Sequence, residues 1–304
     1  MPTQRVASKS IVSFLREISQ HVDDNGIETV ATVPMGLNEQ SENTICWCKK
    51  KSVPTPLSCA VLIAGVDFTS TSSETCIIKA QNPKYSFTKV VMQFFTPPTV
   101  IGGIHPTAQI SDAFMIDPTA SIGANSVLIG TGSIGENTII HPNVTIKGPI
   151  SIGNNVEIHP GCVLGYDGFG YSKTNNGEYE KFPHLRGIII EDWVEIGATS
   201  CIDRGILTDT VVRAHTKIDK ACLIAHGATI GRSCMIAGFS NIGGSVAVGE
   251  RVWISPKSTI LNGITIEDDS FIGIGSVVLR SVKNGTTVFG NPAQVIKKRL
   301  DSPT

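Results

Sequence analysis

The chain has 304 residues, 17% of them charged, and a formal net charge of −1, which excludes a strongly electrostatic partner such as bulk nucleic acid. No apolar run reaches the roughly 18 residues of a membrane span, and the longest covers residues 59–66. With 30 glycines and 6% aromatic residues, the composition suits stacked turns better than a β-sandwich core.

Residues 1–20 form a basic segment with no acid before Glu17. Two interpretations follow. Such a segment is typical of an organelle targeting sequence, which would place the protein in the mitochondrion. Alternatively, Ile11, Phe14, Leu15 and Ile18 form the buried face of an ordinary first helix, in a protein of a bacterial-type cytoplasm.

Residues 21–98 predict a small α+β domain. The short apolar runs TICWC, CAVLIAGV and TCIIKA have the length and composition of strands, and KYSFTKVVMQFF follows with the pattern of a helix. Pro97 and Pro98 break that helix and mark the end of the domain.

From residue 99 to residue 282 an aliphatic residue returns every sixth position, which fits neither an α-helix nor a plain strand. We number each hexad so that this aliphatic residue is position 1; position 5 is small or β-branched. Such hexads predict a parallel β-helix in which three hexads form one coil, so that equivalent residues of successive coils are stacked about 4.8 Å from each other. Glycine is frequent at position 2, where we expect it to supply a positive φ for the turn.

Two blocks keep the period without a miss. The first block is Ile104, Ile110, Ile116, Ile122, Leu128, Ile134, Ile140, Ile146, Ile152, Ile158 and Leu164. The second block is Val212, Ile218, Ile224, Ile230, Ile236, Ile242, Val248, Ile254, Ile260, Ile266, Ile272 and Val278. Between them, residues 165–189 lose the period, which predicts an extruded loop, a common place for binding residues. The period resumes in a shifted phase at Ile190, and residues 283–304 are expected to cap the last coil.

Eight cysteines lie without CxxC spacing. Cys162, Cys222 and Cys234 fall at position 5, where a cysteine behaves as a small buried hydrophobe. This pattern predicts a reducing intracellular compartment and no disulfide framework.

His105, His141 and His159 each occupy position 2 and precede a proline. The separations between them are whole numbers of coils, so the three histidines share one edge of the predicted β-helix. A ladder of histidines can bind a metal ion, but the repeated His-Pro pair is explained more simply as a corner of the coil.

His226 lies at position 3, two residues after the inward Ile224, and therefore points outward. An exposed imidazole that titrates near neutrality is a suitable general base for an attacking amine or hydroxyl. Asp219 is a candidate for orienting its ring. Gly244 occupies the same position of the hexad one coil later, where its N–H is placed to face a developing oxyanion in acyl transfer.

Four stretches carry a resemblance to a known family: DGFGY at 167–171, EIGATSCIDRG at 195–205, KIDKACLIAH at 217–226 and NIGGS at 241–245. They resemble the UDP-3-O-(3-hydroxyacyl)glucosamine N-acyltransferases of lipid A biosynthesis, and the resemblance covers residues 76–295. It implies a mainly β protein with a left-handed parallel β-helix of hexapeptide repeats, preceded by a small α+β domain that binds nucleotide in the family. It also implies a homotrimer with active sites between subunits.

The resemblance further implies transfer of a 3-hydroxyacyl chain from acyl carrier protein to the 2-amine of UDP-3-O-acyl-glucosamine. His226 matches the general base and Gly244 the oxyanion donor. No metal or cofactor is expected to be bound, because the amine is a competent nucleophile once it is deprotonated. The phosphopantetheine arm belongs to the carrier protein. The implied substrate-binding residues are Asp167, Phe169 and Tyr171 in the loop, Trp47 for the uracil, and Val277 and Leu279 near the acyl groove. The basic residues implied to meet the carrier protein are Arg280, Lys297, Lys298 and Arg299.

The sequence departs from the family at two places. Gly263 stands where the family has a second histidine, and TICWCKKKS offers only Trp47 where the family has a segment with Phe and Tyr. Two alternatives therefore stay open: another hexapeptide O-acyltransferase or acetyltransferase, and a catalytically degenerate β-helix scaffold. A zinc hydratase of the γ-carbonic anhydrase type needs closely spaced histidines, whereas the nearest outward pair, His215 and His226, is eleven positions apart.

Overall fold

The computed structural model describes residues 4–18, 20–53, 56–70, 72–97 and 102–296. The chain divides into two compact units, residues 1–99 and 100–304. The division lies next to the predicted boundary at Pro97 and Pro98, of which Pro98 is outside the described residues. Within the described part of the chain, no helix combines the length and the apolar character that crossing a bilayer requires.

Unit 1 is an α+β fold, as the composition of its segments predicts. Its elements are β1 (Val6–Ala7), α1 (Ser8–Glu17), β2 (Val22–Asp24), β3 (Val30–Ala31), β4 (Val33–Pro34), a single 3₁₀ turn (Leu37–Glu39), β5 (Thr44–Cys48), β6 (Val61–Gly65), β7 (Cys76–Ala80) and α2 (Pro83–Phe94). A five-stranded sheet has the order β2-β7-β6-β5-β4, with β2 antiparallel to β7 and the other pairs parallel.

The first helix is part of the core of unit 1. Ile11 and Leu15 lie on one face of α1, one helical turn apart, and both are fully buried. Immediately before the helix, β1 pairs with β3. Residues 6–17 thus contribute to the fold of unit 1, as the first-helix interpretation requires.

Unit 2 is a succession of short strands. They are β8 (Gln109–Ile110), β9 (Phe114–Ile116), β10 (Ser121–Ile122), β11 (Val127–Ile129), β12 (Gly132–Ile134), β13 (Ile139–Ile140), β14 (Thr145–Lys147), β15 (Ile150–Ile152), β16 (Glu157–Ile158), β17 (Val163–Asp167), β18 (Tyr171–Lys173), β19 (Tyr179–Lys181), β20 (Ile188–Ile190), β21 (Glu195–Ile196), β22 (Cys201–Arg204), β23 (Thr210–Val212), β24 (Lys217–Ile218), β25 (Leu223–Ile224), β26 (Thr229–Ile230), β27 (Met235–Ile236), β28 (Asn241–Ile242), β29 (Ala247–Val248), β30 (Trp253–Ile254), β31 (Thr259–Ile260), β32 (Thr265–Ile266), β33 (Phe271–Ile272), β34 (Val277–Val278), β35 (Thr287–Phe289) and β36 (Gln294–Val295).

These strands form three long sheets, the walls of a left-handed parallel β-helix. The first sheet is β10-β13-β16-β21-β24-β27-β30-β33-β35-β36, the second is β34-β31-β28-β25-β22-β17-β14-β11-β8, and the third is β32-β29-β26-β23-β20-β15-β12-β9. Leu128 pairs with Ile146, the inward residue three hexads later, so one coil is three hexads as the period predicts. We call one such coil a rung.

The interior is filled by positions 1 and 5 of the hexads. Ile146 and Ile224 at position 1 are fully buried, and so are Cys162 and Cys234 at position 5. Burial raises the pKa of each of these two thiols to about 11, so neither is a reactive thiolate at neutral pH. All eight cysteines are free in the structure.

The corners differ from expectation, because the positive φ falls mainly at position 4, whereas position-2 glycines such as Gly231 and Gly249 do not have one. Fourteen of the described residues other than glycine have a positive φ, and all of them occupy position 4. Asparagine is common among them, as at Asn125 and Asn143, because it tolerates the left-handed region better than most residues.

Glycine at position 2 has a different role, because it allows the backbone of the next rung to approach closely. A Cβ on Gly231 would overlap the backbone carbonyl of Gly249, one rung later. A side chain is therefore excluded at Gly231 by backbone contact between rungs.

Two insertions interrupt the coil, and their combined length restores the original phase of the repeat. Ile152 pairs with Ile190, and Ile190 pairs with Val212. Neither separation is a multiple of six, but together they span a whole number of hexads, so the original phase returns at Val212. The longer insertion carries the antiparallel hairpin β18-β19. The shorter one lies beside it, since the Leu185 N–H donates to the Ile206 carbonyl at 3.0 Å.

The end of the repeat is covered as expected for a capped solenoid. Strand β35 adds to the first sheet after β33, and β36 turns back antiparallel to it. The predicted cap of residues 283–304 is described up to residue 296.

The two kinds of glycine predict different costs of substitution. Gly231→Ala should lower the free energy of unfolding by about 3 kcal/mol because the new methyl group meets rigid backbone. Gly275→Ala should cost only about 1 kcal/mol, because Gly275 has a positive φ but open space around its Cα. Urea unfolding of both variants measures the difference, and equal losses would contradict the proposed role of position 2.

Candidate active site

The sequence-predicted base lies on the second sheet. His226 follows β25 by two residues and is half-buried. Strand β25 pairs with β28 in the register of Ile224 with Ile242, which stacks position 3 of one rung on position 3 of the next. Gly244 is therefore the neighbour of His226, as the offset of one coil predicts.

The imidazole of His226 lies directly against the backbone of Gly244. A Cβ on Gly244 would be 2.6 Å from Cε1 of His226 and 2.8 Å from Nε2. The Ser245 N–H donates to the His226 carbonyl at 2.9 Å, which fixes the two rungs to each other. An imidazole nitrogen of His226 and the bare backbone of Gly244 are thus in direct contact.

Position 3 has a different role elsewhere in the solenoid. The side chains of Asn154, Asp192 and Asp268 accept hydrogen bonds from backbone N–H groups of the preceding rung, at 2.8, 2.7 and 2.8 Å. Gly244 occupies the equivalent place but has no side chain, and the space is taken by the ring of His226.

A carboxylate that the sequence analysis missed approaches the same ring. A Cβ on Gly168 would lie 2.6 Å from Oδ2 of Asp203 and 3.1 Å from Cδ2 of His226, so both groups border one glycine of the loop. Burial raises the pKa of Asp203, and the nearby rings of His226 and His184 oppose that rise. Asp203 is therefore an electrostatic partner of His226.

A second histidine that the sequence did not indicate, His184, contacts the ring of His226. The ring of His184 meets that of His226 edge to face, with 5.5 Å between centroids and 84° between planes. His184 is 6% exposed. Its Nδ1 lies 3.0 Å from the Phe182 carbonyl, while its buried Nε2 has no hydrogen-bond partner among the described residues. A Cβ on Gly170 would be 2.9 Å from Cε1 of His184, so the loop closes tightly over it.

The loop residues divide into two groups. Asp167 forms an ion pair with Lys181 at 2.7 Å, and the Lys181 ammonium lowers the pKa of this carboxyl group. Phe169 is 88% exposed, and its ring centroid is 5.0 Å from that of Tyr171, which is also exposed. The loop therefore presents an aromatic surface to solvent beside a fixed ion pair.

Asp219 does not orient the base in this structure. Its Oδ2 accepts a hydrogen bond from the Gly238 N–H at 3.0 Å, and the residue follows β24 in the first sheet, not the second. Asp203, and not Asp219, is the carboxylate that borders the same loop glycine as His226.

The two residues predicted near the acyl groove lie on the same sheet as His226. Val277 shares an outward column with Leu223, three rungs away, through the registers of β25, β28, β31 and β34. At about 4.8 Å per rung, the separation is about 14 Å along the axis. Leu261 and Leu279 follow β31 and β34, one rung apart, and both are exposed. Together with Val277 they give this end of the wall an apolar surface.

Trp47 lies in unit 1, in strand β5, where it is half-buried and packs against the core. At the carboxyl end of that strand, Lys49, Lys50 and Lys51 line a cavity of about 460 Å³ with Asn82 before α2. The basic side chains give this end of the parallel strands a positive surface.

The remaining predicted positions are on the surface or outside the described residues. Arg280 is exposed, and Lys297, Lys298 and Arg299 fall outside the described part of the chain. Gly263, which replaces the family's second histidine, has a φ of +70° and open space around it. Its N–H donates to the Gly244 carbonyl at 2.9 Å, so it lies on the rung that follows the site.

Comparison with known proteins gives a consistent result. Residues 132–166 match the family model "Bacterial transferase hexapeptide (six repeats)". A curated relative from Campylobacter lari, named UDP-3-O-acylglucosamine N-acyltransferase, is 35% identical over 139 residues, which are 46% of this chain and 44% of that protein. The chain thus spans less than half the length of the first curated relatives it matches.

A longer match comes from Herminiimonas arsenicoxydans. That protein has the same name and is 32% identical over 286 residues, which cover 86% of this chain and 81% of the relative. Among solved structures, UDP-N-acetylglucosamine O-acyltransferase from Moraxella catarrhalis has a TM-score of 0.51 at 22% identity, covering 64% of this chain and 73% of that one. This last likeness concerns the fold alone.

The raised pKa of Asp203 predicts a cost in stability that grows with pH. The unfolded chain loses the Asp203 proton near the ordinary pKa of about 3.9, while the folded chain holds it to higher pH. Stability therefore falls as pH rises from the unfolded pKa through the folded pKa. Asp203→Asn should remove this loss and raise the free energy of unfolding at pH 7, measured by urea unfolding across pH.

A variant that is no more stable than the parent at pH 7 would contradict the raised pKa of Asp203.

Proposed function

The chain belongs to the family of UDP-3-O-acylglucosamine N-acyltransferases, and on this basis we propose that it transfers an acyl chain to the amine of a UDP-3-O-acyl-glucosamine. The observation that carries the proposal is the contact of the His226 imidazole with the backbone of Gly244. An acyl transfer needs a base for the nucleophile and a hydrogen-bond donor for the oxyanion, and these two residues supply both.

The proposed reaction has two steps. The neutral 2-amine attacks the thioester carbonyl carbon, and His226 accepts the proton that the nitrogen must lose as the N–C bond forms. The Gly244 N–H donates to the oxygen of the tetrahedral intermediate. The C–S bond then breaks, the carbonyl re-forms as an amide, and the proton passes from the imidazolium to the leaving thiolate.

Asp203 and His184 are proposed to support this base. The negative charge of Asp203 stabilises the imidazolium formed in the first step. His184 meets the His226 ring edge to face, and its burial beneath the Gly170 backbone restricts the orientations open to that ring. Both residues act through His226 and are positioning residues.

The donor is proposed to be a 3-hydroxyacyl chain on the phosphopantetheine arm of acyl carrier protein, as in lipid A biosynthesis. The apolar surface of Val277, Leu261 and Leu279 suits an extended acyl chain. Arg280 is exposed next to it and offers a positive charge to an acidic carrier. The chemistry proposed here uses no metal and no bound cofactor.

The acceptor is proposed to be bound by the loop of unit 2. The exposed rings of Phe169 and Tyr171 can stack on a sugar or base, and the Asp167–Lys181 pair can hydrogen-bond to hydroxyl groups. We also propose that the chain works as a homotrimer, as the family resemblance implies.

The proposal predicts that His226→Ala loses turnover by about 10²- to 10⁴-fold, the usual contribution of a general base. His215→Ala is the matched control. His215 stacks on Trp193 and lies at a corner, where the same chain carries Ala221 with a similar positive φ, so its removal should leave turnover within a factor of about two.

The assay should pair two acceptors with two donors: UDP-3-O-acylglucosamine and UDP-N-acetylglucosamine, with acyl carrier protein or coenzyme A carrying the chain. N-acylation of the first acceptor from the carrier protein supports the proposal. Preferred O-acylation of the second, or acetyl transfer from coenzyme A, would favour another hexapeptide acyltransferase. No transfer with any pair, by a folded trimer, would favour a scaffold.

A second prediction concerns the bare backbone. Gly244→Ala should reduce kcat by about 10²- to 10³-fold, because the new Cβ would press on Cε1 and Nε2 of His226. Gly263→Ala, one rung later and in open space, is the control and should keep near-normal kcat. Equal activity of the two variants would show that Gly244 is not part of the machinery.

A further inference from the structure

A second cluster of polar side chains lies on the first sheet, away from the acyl-transfer residues. His141 and His159 occupy position 2 of consecutive rungs, after β13 and β16. Their rings are stacked, with 4.8 Å between centroids and 8° between planes. The ring spacing equals the rung spacing of paired strands, so the coil itself sets the distance between the two imidazoles.

A carboxylate stands between the two rings. Oε1 of Glu157 is 2.7 Å from Nε2 of His141 and 3.8 Å from Nε2 of His159. The first distance is a hydrogen bond and the second is too long for one. Glu195 lies on the following rung, and its Oε1 is 3.3 Å from Nε2 of His159. The other carboxylate oxygen of Glu195, Oε2, is 3.8 Å from Nζ of Lys217.

The three side chains place their potential metal-binding atoms close together. Each of His141, Glu157 and His159 offers one such atom, and the three atoms lie within 4.8 Å of one another. Zinc holds nitrogen and oxygen ligands at about 2.0–2.2 Å in a tetrahedron, so its ligands are roughly 3.4 Å apart. Side-chain movements of about 1 Å are enough to close the cluster around an ion at that ligand spacing.

We propose that His141, Glu157 and His159 form a binding site for a divalent transition-metal ion such as zinc. Two imidazoles and one carboxylate are a donor set that suits zinc. Each side chain is partly exposed, which gives an ion a path of entry and leaves a fourth position for water. Glu195, already paired with Lys217, lies at the edge of the site.

The site is separate from the proposed chemistry. His226 follows a strand of the second sheet, whereas both ligand histidines follow strands of the first. An ion held by His141 and His159 would join two consecutive rungs, and its binding free energy would add to the stability of the solenoid.

The test is titration of the full-length, chelator-treated protein with zinc chloride, followed by calorimetry and, with cobalt(II) as a probe, by visible absorption. We expect one ion per chain. His159→Gln and Glu157→Gln should each weaken zinc binding by at least about 100-fold. Loss of a residue that only supports a metal ligand costs up to about 100-fold in affinity, and loss of a ligand should cost at least as much. Zinc should also raise the melting temperature of the parent protein but not that of these variants.

His105→Gln is the matched control. His105 has the same His-Pro setting and the same column, two rungs before His141, but its Nδ1 pairs with Thr107. The affinity of this variant for zinc should equal that of the parent. No saturable binding, binding that His159→Gln leaves unchanged, or equal weakening by His105→Gln would each overturn the proposal. Because the readout is binding, its failure is distinct from failure of the acyl-transfer proposal.

Discussion

Parallel pairing between strands one coil apart is the constraint on which the rest of the solenoid depends. Each strand is only two to five residues long, and such short strands are stable only because both neighbours in the stack continue the sheet. The pairing requires a corner in every hexad, and at most corners position 4 has a positive φ, even at residues such as Trp193 and Phe239. The local cost of about 1–2 kcal/mol for each such residue is offset by the aliphatic interior that the stack encloses.

The candidate site follows from the same stacking and from the interruptions in it. The register places Gly244 against His226 without any loop. The longer insertion then brings His184 against the imidazole, and Gly168 brings the loop backbone against both Asp203 and His226. The shorter insertion packs against the longer one, with Ile206 close to Gly170. The regular wall thus supplies His226 and Gly244, and the loops supply the groups that surround them.

The two polar clusters of unit 2 show how one scaffold gives different surroundings to histidines. On the second sheet, His226 lies against the backbone of Gly244. On the first sheet, His141 stacks on the ring of His159. The difference is one side chain at the neighbouring rung, because every column of the solenoid places like positions one rung apart.

Much of this could be predicted from the sequence. The period of six determined the solenoid, the buried positions 1 and 5, and the neighbourhood of His226 and Gly244, because each depends only on offsets along a regular coil. The role of position 2 was predicted wrongly, since the clash of Gly231 with the next rung involves backbone atoms that no local pattern contains. Asp219 was predicted to orient His226, but its carboxylate accepts a hydrogen bond from the Gly238 N–H. Asp203 was missed because Gly168, which borders both Asp203 and His226, lies in the segment without the period. The loop geometry around His184 and the carboxylate between His141 and His159 were decided only by the tertiary structure, because both bring together side chains from different rungs whose directions depend on packing and not on period.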